Sequence, residues 1–436
     1  MSLEYCENKD SQCGSKLFNI NIFLKMNELI DYERRRGYKT TMIRYVIPKN
    51  WINYDGNQIF SELTEAKAAV MSLTTIPFQR SWADALQDLQ LKREVAGTSR
   101  IEGAEFTESE LDAALKENAE HLFTRSQRQA RAAKLTYQWI ADLPDDRPIN
   151  RELILEVHRR IITGADDDHC PPGRIRGKDE NVLFGAPRHR GAEGGEECEK
   201  AFSRLDEAIQ REFKGHDVLI QALSLHYHFA AIHPFLDGNG RTARAIEALF
   251  LQRAGLRDSL FIAMSNYYYD EKAAYLNALS ESRGRDHDLT PFLKFGLRGI
   301  SVQCRRLSSE IQRQVYKALF RNVMYDLFDR LQSTRKRVIA RRQMQILKLL
   351  LEVDEIEFSA LHKKVLPSYE SLKLANNAFV RDMGSLFHLG AIHARPRSDG
   401  RGFIISLNLE WPTQITESSF FERIQNLPKA RTYPFQ

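Results

Sequence analysis

The sequence predicts a mainly α protein that ends in a small α+β unit. Three observations carry this. Apolar residues recur at three- and four-residue spacing through most of residues 56–330, the period of amphipathic helices. The long stretch that breaks the pattern, 164–197, is rich in glycine and proline. The C-terminal part closes on two alternating segments around Ser-Asp-Gly-Arg-Gly, a hairpin signal. At 436 residues the chain exceeds one ordinary core. The expected division is an N-terminal extension with short strands (1–55), a helical domain (56–330), and a winged helix-turn-helix domain with a tail (331–436).

Taken in order, MIRYVIPKNWINYD (42–55) has the β-branched and aromatic content of short strands, broken at Pro48. IFSELTEAKAAVMSLTTI and WADALQDLQLKREVAGTSRIEG follow with helical spacing. Thr107, with Glu110 three residues on, forms a capping box ahead of LDAAL. INRELILEVHRRIITG (149–164) is an amphipathic helix closed by Gly164. In the loop that follows, NVLFG (181–185) is the segment able to pair, as a short hairpin. Helices return from 198 to about 330. RRQMQILKLLLE (341–352), EFSALHKKVL (357–366) and SYESLKLANNAFVRDMGSLFHLG (368–390) then read as three helices, and AIHARPRSDGRGFIISLN as two strands. Three helices and a hairpin describe a winged helix-turn-helix. Residues 331–410 hold thirteen Lys/Arg against eight Asp/Glu, an excess of five that equals the net charge of +5 for the whole chain.

Composition is that of a globular protein, 42% hydrophobic and 28% charged, with no run near the ~20 apolar residues of a membrane span. The N-terminus MSLEYCENKDSQCG lacks the apolar region of a secretory signal. Five scattered cysteines, an odd number, suggest reduced thiols and a cytoplasmic location. Cys6 and Cys13 have no second pair with which to hold zinc.

The stretch HPFLDGNGRTAR (233–244) sits between two apolar helical segments and asks for a chemical explanation. Gly238 and Gly240 bracket Asn239 where the second helix should begin. A glycine turn there aims backbone N–H groups inward, and the helix start adds unpaired donors and a positive dipole end, which makes an anion hole. Arg241 and Arg244, three apart, supply guanidinium forks to further phosphate oxygens. Asp237 is a hard oxygen ligand placed for Mg²⁺ beside a polyphosphate. His233 is the side chain here that takes a proton near pH 7. Phe235 should be a buried anchor of the loop. His226 and His228, on the preceding apolar helix, are expected as packing residues rather than zinc ligands.

HPFLDGNGRTAR resembles the signature of Fic-family proteins, H-P-F-x-[DE]-G-N-G-R-x-x-R, at every defined position. The resemblance implies a helical core that binds ATP with Mg²⁺ and transfers AMP to a hydroxyl of a protein side chain. By this likeness His233 is the general base and Asp237 the Mg²⁺ ligand. Backbone groups of Gly238, Asn239 and Gly240, assisted by Arg241, hold the diphosphate, and Arg244 reaches the γ-phosphate. TSRIEG (98–103) resembles the family's inhibitory motif [ST]-x-x-x-E-[GN], with Thr98, Glu102 and Gly103 at the defined positions; Glu102 would pair with Arg244 and obstruct γ-phosphate placement. The alternative for Glu102-Gly103 is an ordinary helix C-cap. The hairpin at Val182, Leu183, Phe184 and Gly185 resembles the family's flap, which pairs with the target segment by strand addition. Tyr275 falls where relatives place a Tyr-Tyr pair beside the adenosine. Its neighbour here is Leu276, and Arg283 stands where an asparagine is expected.

The implied function is that of an autoinhibited protein adenylyltransferase acting on a protein hydroxyl, its own included. Two alternatives stay open: a winged-helix transcriptional regulator with the Fic core as nucleotide sensor, and an enzyme that also removes AMP. The recognition helix carries few cations, Lys373 and Arg381, whereas Arg395, Arg397 and Arg401 would form a basic wing. DNA and protein are both open as partners of that unit, as is a homodimer. No membrane partner is expected.

Overall fold

The computed structural model describes residues 43–75, 80–116, 122–185, 188–256, 262–331, 334–369 and 372–426, excepting the side chains of 80–85 and 334–336. Cys6, Cys13 and most of the extension expected over 1–55 lie outside the described residues. The chain divides into two compact units. One comprises the described residues through Ala68 together with Asp88–Ser301, and the other Ala69–Gln87 with Val302–Gln436.

The helices of the first three-quarters of the chain are, in order, α1 (Gly56–Thr75), α2 (Arg80–Ile101), α3 (Glu108–Leu115), α4 (Arg125–Ala141), α5 (Arg151–Ile162), α6 (Glu196–Gln210), α7 (Val218–Ile232), α8 (Asn239–Leu251), α9 (Met264–Asp270), α10 (Lys272–Gly284) and α11 (Thr290–Asp329). The mainly helical class expected from the apolar spacing is what the chain adopts. Helix α3 starts on the expected capping box, Thr107 with Glu110. Asn150 caps α5 by accepting from Leu153 N at 3.1 Å.

The centre of the first unit is the pair α7 and α8. From Leu219 onward α7 is buried except at Gln221, and α8 is buried except at Gly240. A helix apolar on all sides belongs inside, with other helices around it. His226 and His228 are fully buried there, as expected of packing residues. His226 is bonded to Glu247 and, at 2.9 Å, to the Tyr275 hydroxyl; His228 Nε2 is bonded to the Trp51 carbonyl.

The glycine-rich loop forms the expected hairpin from β2 (Leu183–Phe184) and β3 (His189–Arg190). β3 also pairs in parallel with β1 (Ile43–Arg44). β1 lies within the segment 42–55 expected to form short strands, but its pairing with β3 had no signal, because two-residue strands are too short to show alternation.

In the second unit α12 (Thr334–Val353) is followed by β4 (Glu355–Glu357), α13 (Phe358–Val365), α14 (Ala375–His388), β5 (Ile392–Pro396) and β6 (Phe403–Leu407), then α15 (Trp411–Gln414) and α16 (Glu417–Gln425). The sheet is antiparallel in the order β4-β6-β5. The helix expected over 368–390 begins only at Ala375, after a 3₁₀ turn over Leu366–Tyr369 that holds Pro367. Gly400 and Gly402 both take positive φ in the β5–β6 turn, as the Ser-Asp-Gly-Arg-Gly reading requires. Phe320, Leu386, Ile405 and Trp411 lie in its core. Among the described residues no helix is long and apolar enough to cross a membrane.

Candidate active site

The expected polar loop is residues 233–238, between α7 and α8. His233 ends α7 in the left-handed conformation, with φ 55°, a costly geometry for a residue with a Cβ. Its surroundings fix it. Phe235 is fully buried, stacked on His158 at 3.5 Å. The Asn239 side chain accepts from Phe235 N and donates to Phe235 O, both at 2.9 Å. Gly238 has φ 74°, and a Cβ there would lie 2.7 Å from Ile162. Arg176 closes the arrangement from outside the motif. Its buried guanidinium donates to the carbonyls of His233 at 2.8 Å and of Glu180 and Ala192 at 2.6 Å, and its N–H to Pro234 O at 2.9 Å. Sequence reasoning missed Arg176, because nothing local distinguishes it from its arginine neighbour at 174.

His233 Nδ1 lies 3.2 Å from the Ala230 carbonyl. Donating there assigns the proton to Nδ1 and leaves a lone pair on Nε2. Phe184 of β2 stacks on the imidazole at 4.1 Å and 13°, so the hairpin meets the histidine. Phe184 and Gly185 line the same cleft as His233, Leu183 is exposed, and Val182 accepts from Gly191 N at 3.4 Å. Burial pushes the His233 pKa down to about 4, with Arg283 and Arg176 acting in the same direction. The ring is therefore neutral at pH 7.

Helix α8 starts at Gly238, and its first helical N–H bond is donated by Thr242 to Gly238 O. The N–H groups of Asn239, Gly240 and Arg241 precede it and have no partner within the helix. The Glu102 carboxylate lies over Gly240, where a Cβ would collide with its Oε1. Arg244 Nη2 donates to Glu102 Oε1 at 2.6 Å and its Nε to Thr98 Oγ1 at 2.9 Å. Burial works against the Arg244 charge, but the Glu102 carboxylate outweighs it and holds the pKa above the usual arginine value. Gly103 takes φ 90° and Ala104 N–H reaches back to Ser99 O at 3.0 Å. The segment is thus also a helix C-cap; the backbone of 103–104 does the capping while the Glu102 side chain takes the arginine.

Three further contacts dock α2. Glu94, buried and pushed up to about 7 by that burial, accepts from Ser265 N at 2.7 Å and the Tyr137 hydroxyl at 2.8 Å. A Cβ on Gly97 would lie 2.5 Å from the Ser265 carbonyl. Lys272 Nζ donates to Ile101 O at 2.8 Å. The sequence signal for Gly97 was present, a lone glycine inside a helical pattern; Glu94 had none.

The two signature arginines diverge. Arg241 pairs with Asp166, which is completely buried and also accepts from Arg125 at 2.6 Å and Gln129 at 3.0 Å. Asp237 is partly exposed. It accepts from Gly238 N at 2.6 Å, lies 2.9 Å from His169 Nε2, and lies 3.3 Å from both Arg241 and Arg125. Burial raises the Asp237 pKa, yet Arg241 and His169 outweigh it and leave the carboxyl below its usual range. Asp166, His169 and Asp237 each offer a ligand atom within 4.8 Å of the others. Asp166 is wholly buried, whereas the Asp237 side chain is 32% exposed, so Asp237 is the carboxylate open to a metal. Asp166 was not foreseen; it reads as one of three consecutive aspartates.

Beside His233 and Arg244 opens a cleft of about 210 Å³, walled by Tyr275, Leu276, Leu279 and Arg283. Tyr275 faces it from within the core, its hydroxyl held by His226. The structure thus brings His233, the start of α8, Glu102, the hairpin and Tyr275 together in the first unit.

Residues 148–251 match the Fic/DOC family. A protein adenylyltransferase Fic from Nematostella vectensis is 31% identical over 144 residues, 33% of this chain and 30% of the relative. Its counterpart from Drosophila willistoni is 30% identical over 146 residues, 33% and 26%. The match thus spans less than a third of those relatives. A Fic family protein from Desulfovibrio desulfuricans has a crystal structure that shares the fold, with a TM-score of 0.51 at 18% identity over 84% of this chain and 98% of that one. Residues 148–251, the segment that contains α7 and α8, thus form a Fic/DOC-family domain within this chain.

Proposed function

We propose that the chain is an autoinhibited protein adenylyltransferase that moves AMP from ATP to a hydroxyl side chain of a protein. The observation that carries the reading is Glu102 on Arg244, directly over the start of α8 and beside a neutral His233. A carboxylate there takes the guanidinium that a phosphate oxygen would otherwise take. The resting state therefore disfavours a productive triphosphate.

In the reaction, the target hydroxyl oxygen bonds to the α-phosphorus while the bond from that phosphorus to the bridging oxygen breaks, and pyrophosphate leaves. The hydroxyl proton passes to His233 Nε2, the nitrogen left free by the bond to Ala230. The N–H groups at the start of α8 and Arg244, once freed, face the developing charge on the leaving group, so catalysis is mostly positioning and electrostatics. Asp237 would hold Mg²⁺, which supplies further charge neutralisation at the phosphates. The β2–β3 hairpin offers its edge to the target segment, with Leu183 exposed for side-chain contact. Tyr275, Leu276 and Leu279 would flank the nucleoside.

The second unit has the order helix–strand–helix–helix–strand–strand with an antiparallel hairpin, and we read it as a winged helix. Two of its wing arginines are paired within the unit, Arg395 with Glu355 and Arg397 with Glu357. This favours protein contact over DNA, and salt-dependent retention on duplex DNA would reverse that preference.

The test is incorporation from α-labelled ATP with Mg²⁺, with γ-labelled ATP alongside to exclude phosphate transfer. Glu102→Gly should label itself or a lysate protein, and Glu102→Gly/His233→Ala should not. If no variant transfers α-label, AMP transfer is the wrong reaction.

A further inference from the structure

Behind the cleft, between β1, β3 and α10, lies a second cavity of about 20 Å³, room for one water-sized occupant. Four of its lining side chains each carry a buried polar atom with no hydrogen-bond partner: Tyr45 Oη, His189 Nδ1, Arg190 Nε and Arg283 Nε. Buried polar groups in native proteins almost always have partners, so four orphans around one small void call for an occupant.

The kind of occupant follows from the donor count. Arginine Nε can only donate. His189 Nε2 lies 3.2 Å from Ser280 Oγ; if it accepts there, Nδ1 carries the proton and donates. Tyr45 Oη has its proton free to give, since burial holds the phenol well above its usual pKa. His287 offers the cavity no acceptor, because its nitrogens are engaged with the Tyr227 hydroxyl at 2.8 Å and the Val46 carbonyl at 2.9 Å. A water could accept from the two arginine Nε atoms, but among these four groups its own hydrogens would have only Tyr45 Oη and, in the other tautomer, His189 Nδ1 to receive them. An occupant that only accepts satisfies all four.

Charge points the same way. Arg44, Arg190 and Arg283 line the cavity, and no carboxylate does. Arg190 reaches an exposed carboxylate, Glu193, at 3.4 Å. Arg283 has no acid partner among the described residues; its guanidinium rests on the Phe184 ring at 4.6 Å. We propose that this cavity is a binding site for a monatomic anion of the halide class, held by Arg190, Arg283, His189 and Tyr45. Arg283 and His189 also line the candidate active-site cleft, so the bound anion fixes the back wall of that cleft from behind.

The site can be tested without any assay of activity. The full chain is crystallised in sodium bromide, and its thermal midpoint is measured in sodium chloride, bromide and gluconate at one ionic strength. The expected result is an anomalous bromide peak in the cavity, and a midpoint a few degrees higher in halide than in gluconate. Arg190→Gln and, independently, Tyr45→Phe should shrink that halide increment, whereas a general salt effect would persist in both. Density that refines as water without an anomalous peak overturns the proposal. So does a peak accompanied by an increment that neither variant changes, which would mark an adventitious halide only.

Discussion

On the proposed reading, Gly97→Ala should raise AMP transfer without touching any residue of the site. Gly97 lies on α2 five residues before Glu102, and a Cβ there would stand 2.5 Å from the Ser265 carbonyl carbon and oxygen. Those are backbone atoms at the start of α9 and cannot rotate away. Reaching ordinary contact requires α2 to retreat by about an ångström, and such overpacking costs about 1–3 kcal/mol. The gain in helix propensity from Gly to Ala, about 1 kcal/mol, applies to the docked and undocked helix alike and cancels. The undocked population should therefore rise about 5- to 150-fold, carrying Glu102 away from Arg244. The assay is α-label incorporation by wild type, Gly97→Ala, Glu102→Gly and the double variant, each checked for folding by circular dichroism. Gly97→Ala should exceed wild type, and the double should be no faster than Glu102→Gly, because in the proposed mechanism docking inhibits only through Glu102. Wild-type activity in Gly97→Ala together with a lowered thermal midpoint would refute the reasoning, since the strain would then have been relieved somewhere other than the inhibitory contact.

Three other expectations follow. Glu102→Gln keeps the shape over Gly240 but removes the charge, so ATP should bind about ten-fold tighter by calorimetry; unchanged affinity would mean that the carboxylate does not compete with phosphate. Asp166→Asn leaves the Arg241 guanidinium, 2% exposed, without its buried counter-charge, and should lower unfolding stability by about 3–5 kcal/mol in urea. His158 and His189, with burial holding their pKa values at about 4, and His228 at about 3, are neutral in the folded chain well below the ordinary value of 6.5. The unfolded chain binds more protons between pH 6.5 and about 4, so stability falls as the pH is lowered through that window. Each histidine contributes a slope of up to about 1.4 kcal/mol per pH unit, readable as a falling thermal midpoint between pH 7 and 5, and a flat profile there would show that the rings take up protons in the folded chain over the same range as in the unfolded one.

What the sequence made legible is what short-range chemistry dictates. The loop at 233–238 is bounded by α7 and α8 because the apolar runs on either side are long and the Gly-Asn-Gly turn cannot continue a helix. Thr107 and Glu110 specify their cap within four residues, and the glycines at 400 and 402 specify the β5–β6 turn. What stayed hidden depends on partners far away in the chain. Arg176 is bonded to residues 57 and 58 positions distant, Glu94 to a residue 171 positions distant, and β1 pairs with a strand that its own sequence does not announce. Arg283 was noticed only as a departure from a pattern; that its Nε is buried without a partner depends on how β1, β3 and α10 pack around it.

The two arginines of the signature show most clearly where spacing stops informing. Three residues along a helix turns by about 300°, leaving the two Cβ directions some 60° apart, close enough to suggest one shared ligand. Their long side chains instead part to different counter-ions. Asp166 has no exposure and three other donor contacts on its carboxylate, from Arg125 and Gln129, so it cannot leave Arg241 without stranding the buried Arg241 charge. Glu102 is 32% exposed at the end of a helix, and it can withdraw into water while Arg244 keeps Thr98 Oγ1. One arginine thus has a permanent partner and the other a removable one. That asymmetry makes Arg241 a fixed brace for Asp237 and, on the proposed reading, leaves Arg244 as the cation for a phosphate, a division of labour that R-x-x-R alone does not express.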